Sequence, residues 1–116
     1  MSFNTVTLIG LGYIGLPTAA VLASRKIKVT GVDVNPHVVA TINQGKIHIV
    51  EPELEILVSA AVAMGYLHAT TAPAPADAFI IAVPTPFQAD HEPDLSYVER
   101  AALSIAPVLK PGDLVI

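Results

Sequence analysis

Residues 4 to 15 read Asn4-Thr5-Val6-Thr7-Leu8-Ile9-Gly10-Leu11-Gly12-Tyr13-Ile14-Gly15. The first half of this stretch is rich in β-formers and ends on glycine. The second half fits G-x-G-x-x-G, and a helix-compatible run from Ile14 to Ser24 follows. Strand, tight turn and helix are therefore expected in that order. A glycine triplet alone says little, because glycines recur at turns for conformational reasons. Its surroundings raise its value here: Ile27 to Asp33 reads as a second strand that ends on an acidic residue, eighteen positions after Gly15. A glycine-rich turn between strand and helix, with a carboxylate closing the next strand, is a dinucleotide-binding unit.

Each position in that unit has a physical assignment. Gly10 makes the tight turn, Gly12 lets a pyrophosphate approach the backbone, and Gly15 lets the helix pack close to the strand. Amides at the helix start, around Tyr13 and Ile14, face the phosphates. Pro17 falls in the first helical turn, where a missing N–H costs little. Asp33 accepts hydrogen bonds from both adenosine ribose hydroxyls and repels a 2′-phosphate. Val34-Asn35-Pro36-His37 offers no Arg or Lys to hold one, so NAD is favoured over NADP. The plainer readings are that the glycines only pack and that Asp33 only caps the helix after it, although Asn35 is better placed as that cap.

Outward from this unit, Asn35-Pro36 opens a helix running to about Asn43, which Gly45 stops. Another helix opens at Glu51-Pro52, with Glu51, Glu53 and Glu55 near its amino end, where the macrodipole favours carboxylates. Leu67 to Thr70 is a short third strand, and Ala78 to Val83 is an apolar run suited to burial on both faces of a parallel sheet. After the loop 84–93, Asp94 is placed to cap a helix from Leu95 to Leu109. Asp113 to Ile116 looks like the start of a fifth strand. The fold expected is α/β: a Rossmann-like doubly wound parallel sheet with helices on both faces, occupying residues 1–116 and cut off at its fifth strand. Because termini usually sit in exposed polar segments, a chain stopping at Leu114-Val115-Ile116 reads as the first part of a longer protein.

Pro84-Thr85-Pro86 follows the fourth strand at the carboxyl edge of the sheet, where a cofactor crosses. Two prolines stiffen this loop and would hold the Thr85 hydroxyl in place, or simply make a rigid turn. The histidines, His37, His48, His68 and His91, stand on separate elements without metal-ligand spacing, so no metal site is expected. Asp90, Glu92 and Asp94 read as a solvated loop and a helix cap.

Composition sets the outer limits. The 116 residues are 53% hydrophobic and 14% charged, which excludes a disordered tail. Six Lys and Arg against ten Asp and Glu, a net charge of -4, argue against nucleic acid or an anionic membrane as partner. The uncharged stretches 1–24 and 56–76 are interrupted by glycine and proline, so neither reads as a membrane span. With no cysteine, disulfides, thiolate zinc sites and cysteine nucleophiles drop out together. A cytoplasmic protein is expected.

In combination, Ile9-Gly10-Leu11-Gly12-Tyr13-Ile14-Gly15-Leu16-Pro17, Gly31-Val32-Asp33, Ile42-Asn43-Gln44-Gly45, Glu51-Pro52 and Val83-Pro84-Thr85-Pro86 resemble the amino-terminal domain of the nucleotide-sugar 6-dehydrogenases. The further stretches His48-Ile49-Val50, Phe87, His91-Glu92-Pro93-Asp94 and Ser96-Tyr97-Val98-Glu99 are similar to the branch acting on UDP-N-acetylmannosamine. Glucose-specific members commonly carry glycine in place of Pro84. The resemblance implies oxidation of a sugar C6 alcohol to a carboxylate in two steps, with two NAD consumed and a cysteine nucleophile, to make a precursor of bacterial surface polysaccharide. It implies a UDP-sugar as substrate and a homo-oligomer for the whole enzyme. Carried over by motif position, Gly10, Gly12, Tyr13, Ile14 and Gly15 hold the pyrophosphate, Asp33 the adenosine ribose, and Thr85 a place near the nicotinamide half. This chain lacks the cysteine and stops before the family's Ser-Thr motif after the fifth strand, so no residue in it is assigned as catalytic and it is expected to be inactive alone. Two readings of other classes stay open: an S-adenosylmethionine methyltransferase, which also uses a glycine-rich turn and an acidic strand end, and a non-enzymatic nucleotide-sensing module.

Overall fold

A computed structural model describes residues 4–86 and 93–116. Five parallel strands are laid side by side in the order β3-β2-β1-β4-β5. They are β1 (Thr5–Ile9), β2 (Lys28–Val32), β3 (Leu67–Thr70), β4 (Ala78–Ile81) and β5 (Leu114–Val115). The helices are α1 (Gly15–Ser24), α2 (Pro36–Asn43), α3 (Pro52–Ala63) and α4 (Ser96–Ile105). β1 is central, in register with β2 from Thr5 opposite Lys28 to Ile9 opposite Val32, and with β4 from Val6 opposite Ala78 to Ile9 opposite Ile81. The strand order therefore reverses between β1 and β4, and the carboxyl end of β1 is where ligands bind in open sheets of this kind.

Period-two alternation along the strands sends side chains to two separate cores. On one face Leu8 and Val29 pack with Leu16, Ala19 and Ala20 of α1, Ile42 of α2 and Val58 of α3. On the other, Ile9, Val32 and Phe79 pack with Ala101 and Ile105 of α4. Helices thus cover both faces, as the doubly wound reading requires.

Three boundaries depart from the sequence expectation. The helix expected over 95–109 is α4 followed by a 3₁₀ turn at Ala106–Val108. Pro107 explains the change, since it has no N–H to continue the ladder and its ring clashes with the carbonyl four residues back. Asp94 is not the capping residue of α4, although its Oδ1 accepts the Ser96 N–H at 3.0 Å. The β4 strand ends at Ile81 instead of Val83. The start of α2 matches its reading, with Asn35 Oδ1 accepting the His37 N–H at 2.9 Å and Pro36 at the first helical position.

No helix joins β3 to β4. The connection is 71–77, Thr-Ala-Pro-Ala-Pro-Ala-Asp, without helix or strand. Pro73 and Pro75 cannot donate to a helical ladder, and the Ala74 carbonyl is satisfied instead by the buried Thr7 hydroxyl at 2.8 Å. A slim segment in place of a helix leaves the α4 face of the sheet open at its carboxyl edge.

Candidate functional site

The glycine turn is built by two crowded positions and one open one. Gly10 has φ +100°, and a Cβ there would lie 2.5 Å from the Ala82 carbonyl oxygen. Its N–H donates to the Val32 carbonyl at 2.8 Å, so the turn is tied to β2 and pressed against the chain leaving β4. A Cβ on Gly15 would collide with the Gly10 carbonyl, which makes Gly15 the condition for α1 to start so close to β1. Gly12 differs from both: a Cβ there would meet nothing within 4 Å. Space of that kind over a backbone is what a phosphate group needs.

Tyr13 and Ile14 follow with 80% and 74% of their surface exposed. Ile14 caps α1 without a side-chain hydrogen bond. The first return bonds of the helix are Leu16 N–H to the Gly12 carbonyl and Thr18 N–H to the Ile14 carbonyl. Among the described residues no acceptor takes the amides of Gly12, Tyr13 or Ile14. The amino end of α1 therefore presents uncommitted N–H groups and the positive end of its dipole beside the open Gly12, a ready anion site.

Asp33 stands at the end of β2, next to this turn. Its Oδ2 accepts the Leu11 N–H at 3.1 Å and its Oδ1 accepts the Asn35 N–H at 3.0 Å. A carboxylate has about four acceptor sites, so two are still available to a ligand. The sequence reading missed the Leu11 bond. Leu11 itself is fully buried, seated over Gly31 of β2, where a Cβ would come within 2.8 Å of its side chain. Asp33 and Leu11 thus fasten the glycine turn from above and below.

A cleft of about 350 Å³ opens beside Asp33. Its floor is Ile9, Val32, Val83 and Ala101, and its rim includes Asp33, Val34, Thr71, Pro73, Pro84, Tyr97, Arg100 and Ser104. The α4 residues were not singled out from the sequence as site residues. The 97, 100, 104 spacing does place them on one helix face, but nothing local says which way that face points. Thr85 is exposed at the carboxyl edge of β4, as its position implied, and does not line the cleft. The loop holding it is fastened to the start of α4 by the Asp94 N–H, which donates to the Pro86 carbonyl at 2.7 Å. Phe87, Asp90, His91 and Glu92 lie outside the described residues. Among the described residues no three His, Asp or Glu side chains gather as a metal site would require, and no helix is long and apolar enough to cross a membrane.

A parallel sheet that reverses order at β1, a glycine turn opening a helix amino end, and a carboxylate closing β2 define a dinucleotide-binding domain of the Rossmann type. The family model for the NAD binding domain of the UDP-glucose/GDP-mannose dehydrogenases matches residues 4–116, and the chain belongs to that family as its NAD-binding domain. It is 70% identical to UDP-N-acetyl-D-mannosamine dehydrogenase of Yersinia pestis and 67% identical to NDP-N-acetyl-D-galactosaminuronic acid dehydrogenase of Ralstonia nicotianae, in each case over all 116 residues. The solved UDP-N-acetyl-mannosamine dehydrogenase of Staphylococcus aureus superposes on 96% of the chain with a TM-score of 0.93 at 42% identity. The chain spans 27–28% of the length of these proteins.

Proposed function

We propose that this domain serves an enzyme oxidising the C6 alcohol of UDP-N-acetylmannosamine to the carboxylate, with NAD as oxidant. The observation that carries the cofactor site is the open Gly12 between the crowded Gly10 and Gly15, with Asp33 at the adjoining strand end. The amides of Gly12, Tyr13 and Ile14 would hold the pyrophosphate, and the remaining acceptor sites of Asp33 the adenosine ribose. Thr85, on its two-proline loop, lies toward the nicotinamide half. NAD supplies a hydride acceptor when bound. This chain's residues supply placement: a fixed phosphate cradle and an acceptor that selects an unphosphorylated ribose. With no cysteine in its sequence, the chain offers no thiol for the nucleophilic step, so catalytic groups are assigned to the remainder of the enzyme. A cytoplasmic location, where nucleotide sugars and NAD are both at hand, goes with this reading.

The choice of sugar rests on the Pro84-Thr85-Pro86-Phe87 form of the loop and on the Yersinia pestis relative. The Ralstonia nicotianae relative favours a second reading, a nucleotide-linked sugar of the N-acetylgalactosamine type. Comparing kcat/KM of the full-length enzyme for UDP-N-acetylmannosamine, UDP-N-acetylgalactosamine and UDP-glucose decides the matter. The first is expected to be used best. Preference for the second supports the alternative, and preference for UDP-glucose overturns both.

A further inference from the structure

The cleft beside Asp33 extends away from the phosphate cradle: Gly10 and Asp33 line it, whereas Gly12, Tyr13 and Ile14 do not. The base of a nucleotide with its ribose on Asp33 and its pyrophosphate over Gly12 would find in this cleft an apolar recess directly beside the ribose. The floor suits a flat apolar ring, with Ile9, Val32 and Ala101 beneath and Val34 of the β2–α2 turn, 91% exposed, at the rim.

The α4 side of the cleft carries the feature that stands out chemically. The Arg100 guanidinium lies 5.0 Å from the centre of the Tyr97 ring. It is tethered one helical turn back, its Nη2 donating to Ser96 Oγ at 3.1 Å and its Nε to the Ser96 carbonyl at 3.4 Å. Among the described residues no carboxylate pairs with it; the one salt bridge there joins Lys110 and Asp113. A planar cation held in place by its own helix, stacked on an aromatic ring and facing an apolar slot, is built to stack on a π-system. Ser104, one turn further along, donates its hydroxyl to the Ala101 carbonyl at 2.6 Å. Its oxygen lone pairs are thereby left to accept, which suits an exocyclic amine.

Building on the NAD reading above, we propose that Arg100 is a positioning residue for the adenine base, its guanidinium stacking on the ring, with Tyr97 behind it and the Ser104 oxygen accepting from the base amine. Arg100 thus sets affinity for the adenosine half of the cofactor and takes no part in the chemistry at the nicotinamide. Lysine does not replace it, because an ammonium has no planar face.

The test is titration of the full-length protein with NAD, ADP-ribose and nicotinamide hypoxanthine dinucleotide, for wild type, Arg100→Ala, Arg100→Lys and Ser104→Ala. Arg100→Ala and Arg100→Lys should each weaken NAD and ADP-ribose alike, by roughly three- to thirtyfold for the loss of a cation–π stack, with kcat at saturating NAD and the melting temperature unchanged. Ser104→Ala should narrow the preference for NAD over the hypoxanthine analogue, which has a carbonyl where adenine has an amine. Unchanged affinities in both Arg100 variants overturn the proposal while leaving the NAD reading intact. Full affinity in Arg100→Lys also overturns it, since a simple charge effect would then suffice. Wild type that binds neither NAD nor ADP-ribose removes the NAD reading itself.

Discussion

Both carboxylate oxygens of Asp33 are engaged by the protein before any ligand arrives, one by the Leu11 amide and one by the Asn35 amide. Asp33 therefore orders the glycine turn and the start of α2 as well as offering itself to a ribose. Replacing it by alanine leaves the Leu11 N–H without its acceptor, a loss of about 1–3 kcal/mol of stability, and removes the acceptor for ribose hydroxyls. NAD binding is expected to weaken by roughly tenfold or more, from charge-assisted bonds of about 1.5–3 kcal/mol each before water competes. NADP should weaken less, because a repulsion against its 2′-phosphate goes too. The ratio of the two affinities, measured by titration of wild type and variant, cancels the loss of order in the turn. An unchanged ratio would make Asp33 a structural fastener only. Gly12→Ala is the matching control: with nothing within 4 Å of its Cβ, it should leave the melting temperature near wild type while lowering NAD affinity.

At the scale of elements, the edge strand β3 shows how a short motif is spent. Asn43, the last residue of α2, donates its side-chain N–H to the Ala69 carbonyl at 2.9 Å and accepts the Ala69 N–H at 2.8 Å. The amide does for β3 what a neighbouring strand would do, and it blocks edge-to-edge pairing with another molecule. This gives Ile42-Asn43-Gln44-Gly45 a structural reason independent of any ligand. Asn43→Ala should lower stability by about 1–3 kcal/mol, because two part-buried backbone groups lose their partners. It should also raise the tendency to self-associate. Denaturant melts paired with light scattering check both, and a variant as stable as wild type would show that water replaces the amide without cost. The elements of this half of the chain were legible from the sequence, since Asn35, Pro36 and Gly45 act on their own helix. The early end of α4 at Ile105 is where that reading fell short, since it carried the helix on to Leu109 past Pro107, the residue that stops it.

Across the whole molecule, the amino edge of the sheet is closed by Asp77, more than seventy residues from its partners. Its Oδ2 accepts the Asn4 N–H at 2.9 Å and the Thr5 N–H at 3.2 Å. The Asn4 amide first, then the Thr5 amide, hold its carboxyl below the ordinary range, against a smaller opposing effect of desolvation; the Thr5 hydroxyl and the charge on Lys110 add to the lowering. A carboxylate whose pKa is lower folded than unfolded adds stability that is present above its unfolded pKa, about 3.9, and is lost as pH falls through the folded value. Stability measured from pH 6 down to pH 2 should therefore fall less steeply in Asp77→Asn than in wild type below about pH 4. Parallel curves would remove Asp77 from the acid response. The sequence by itself determined the strand, turn and helix of the dinucleotide unit, the roles of Gly10 and Gly15, and the family, because backbone conformation and phosphate approach depend on residues adjacent in the chain. Only the tertiary structure decided that Leu11 binds Asp33, that an extended proline segment without a helix joins β3 to β4, and that Tyr97, Arg100 and Ser104 face the same cleft as Asp33. Those depend on which way a helix turns its face and on what crosses above the sheet, and both are set by packing between segments far apart in the chain.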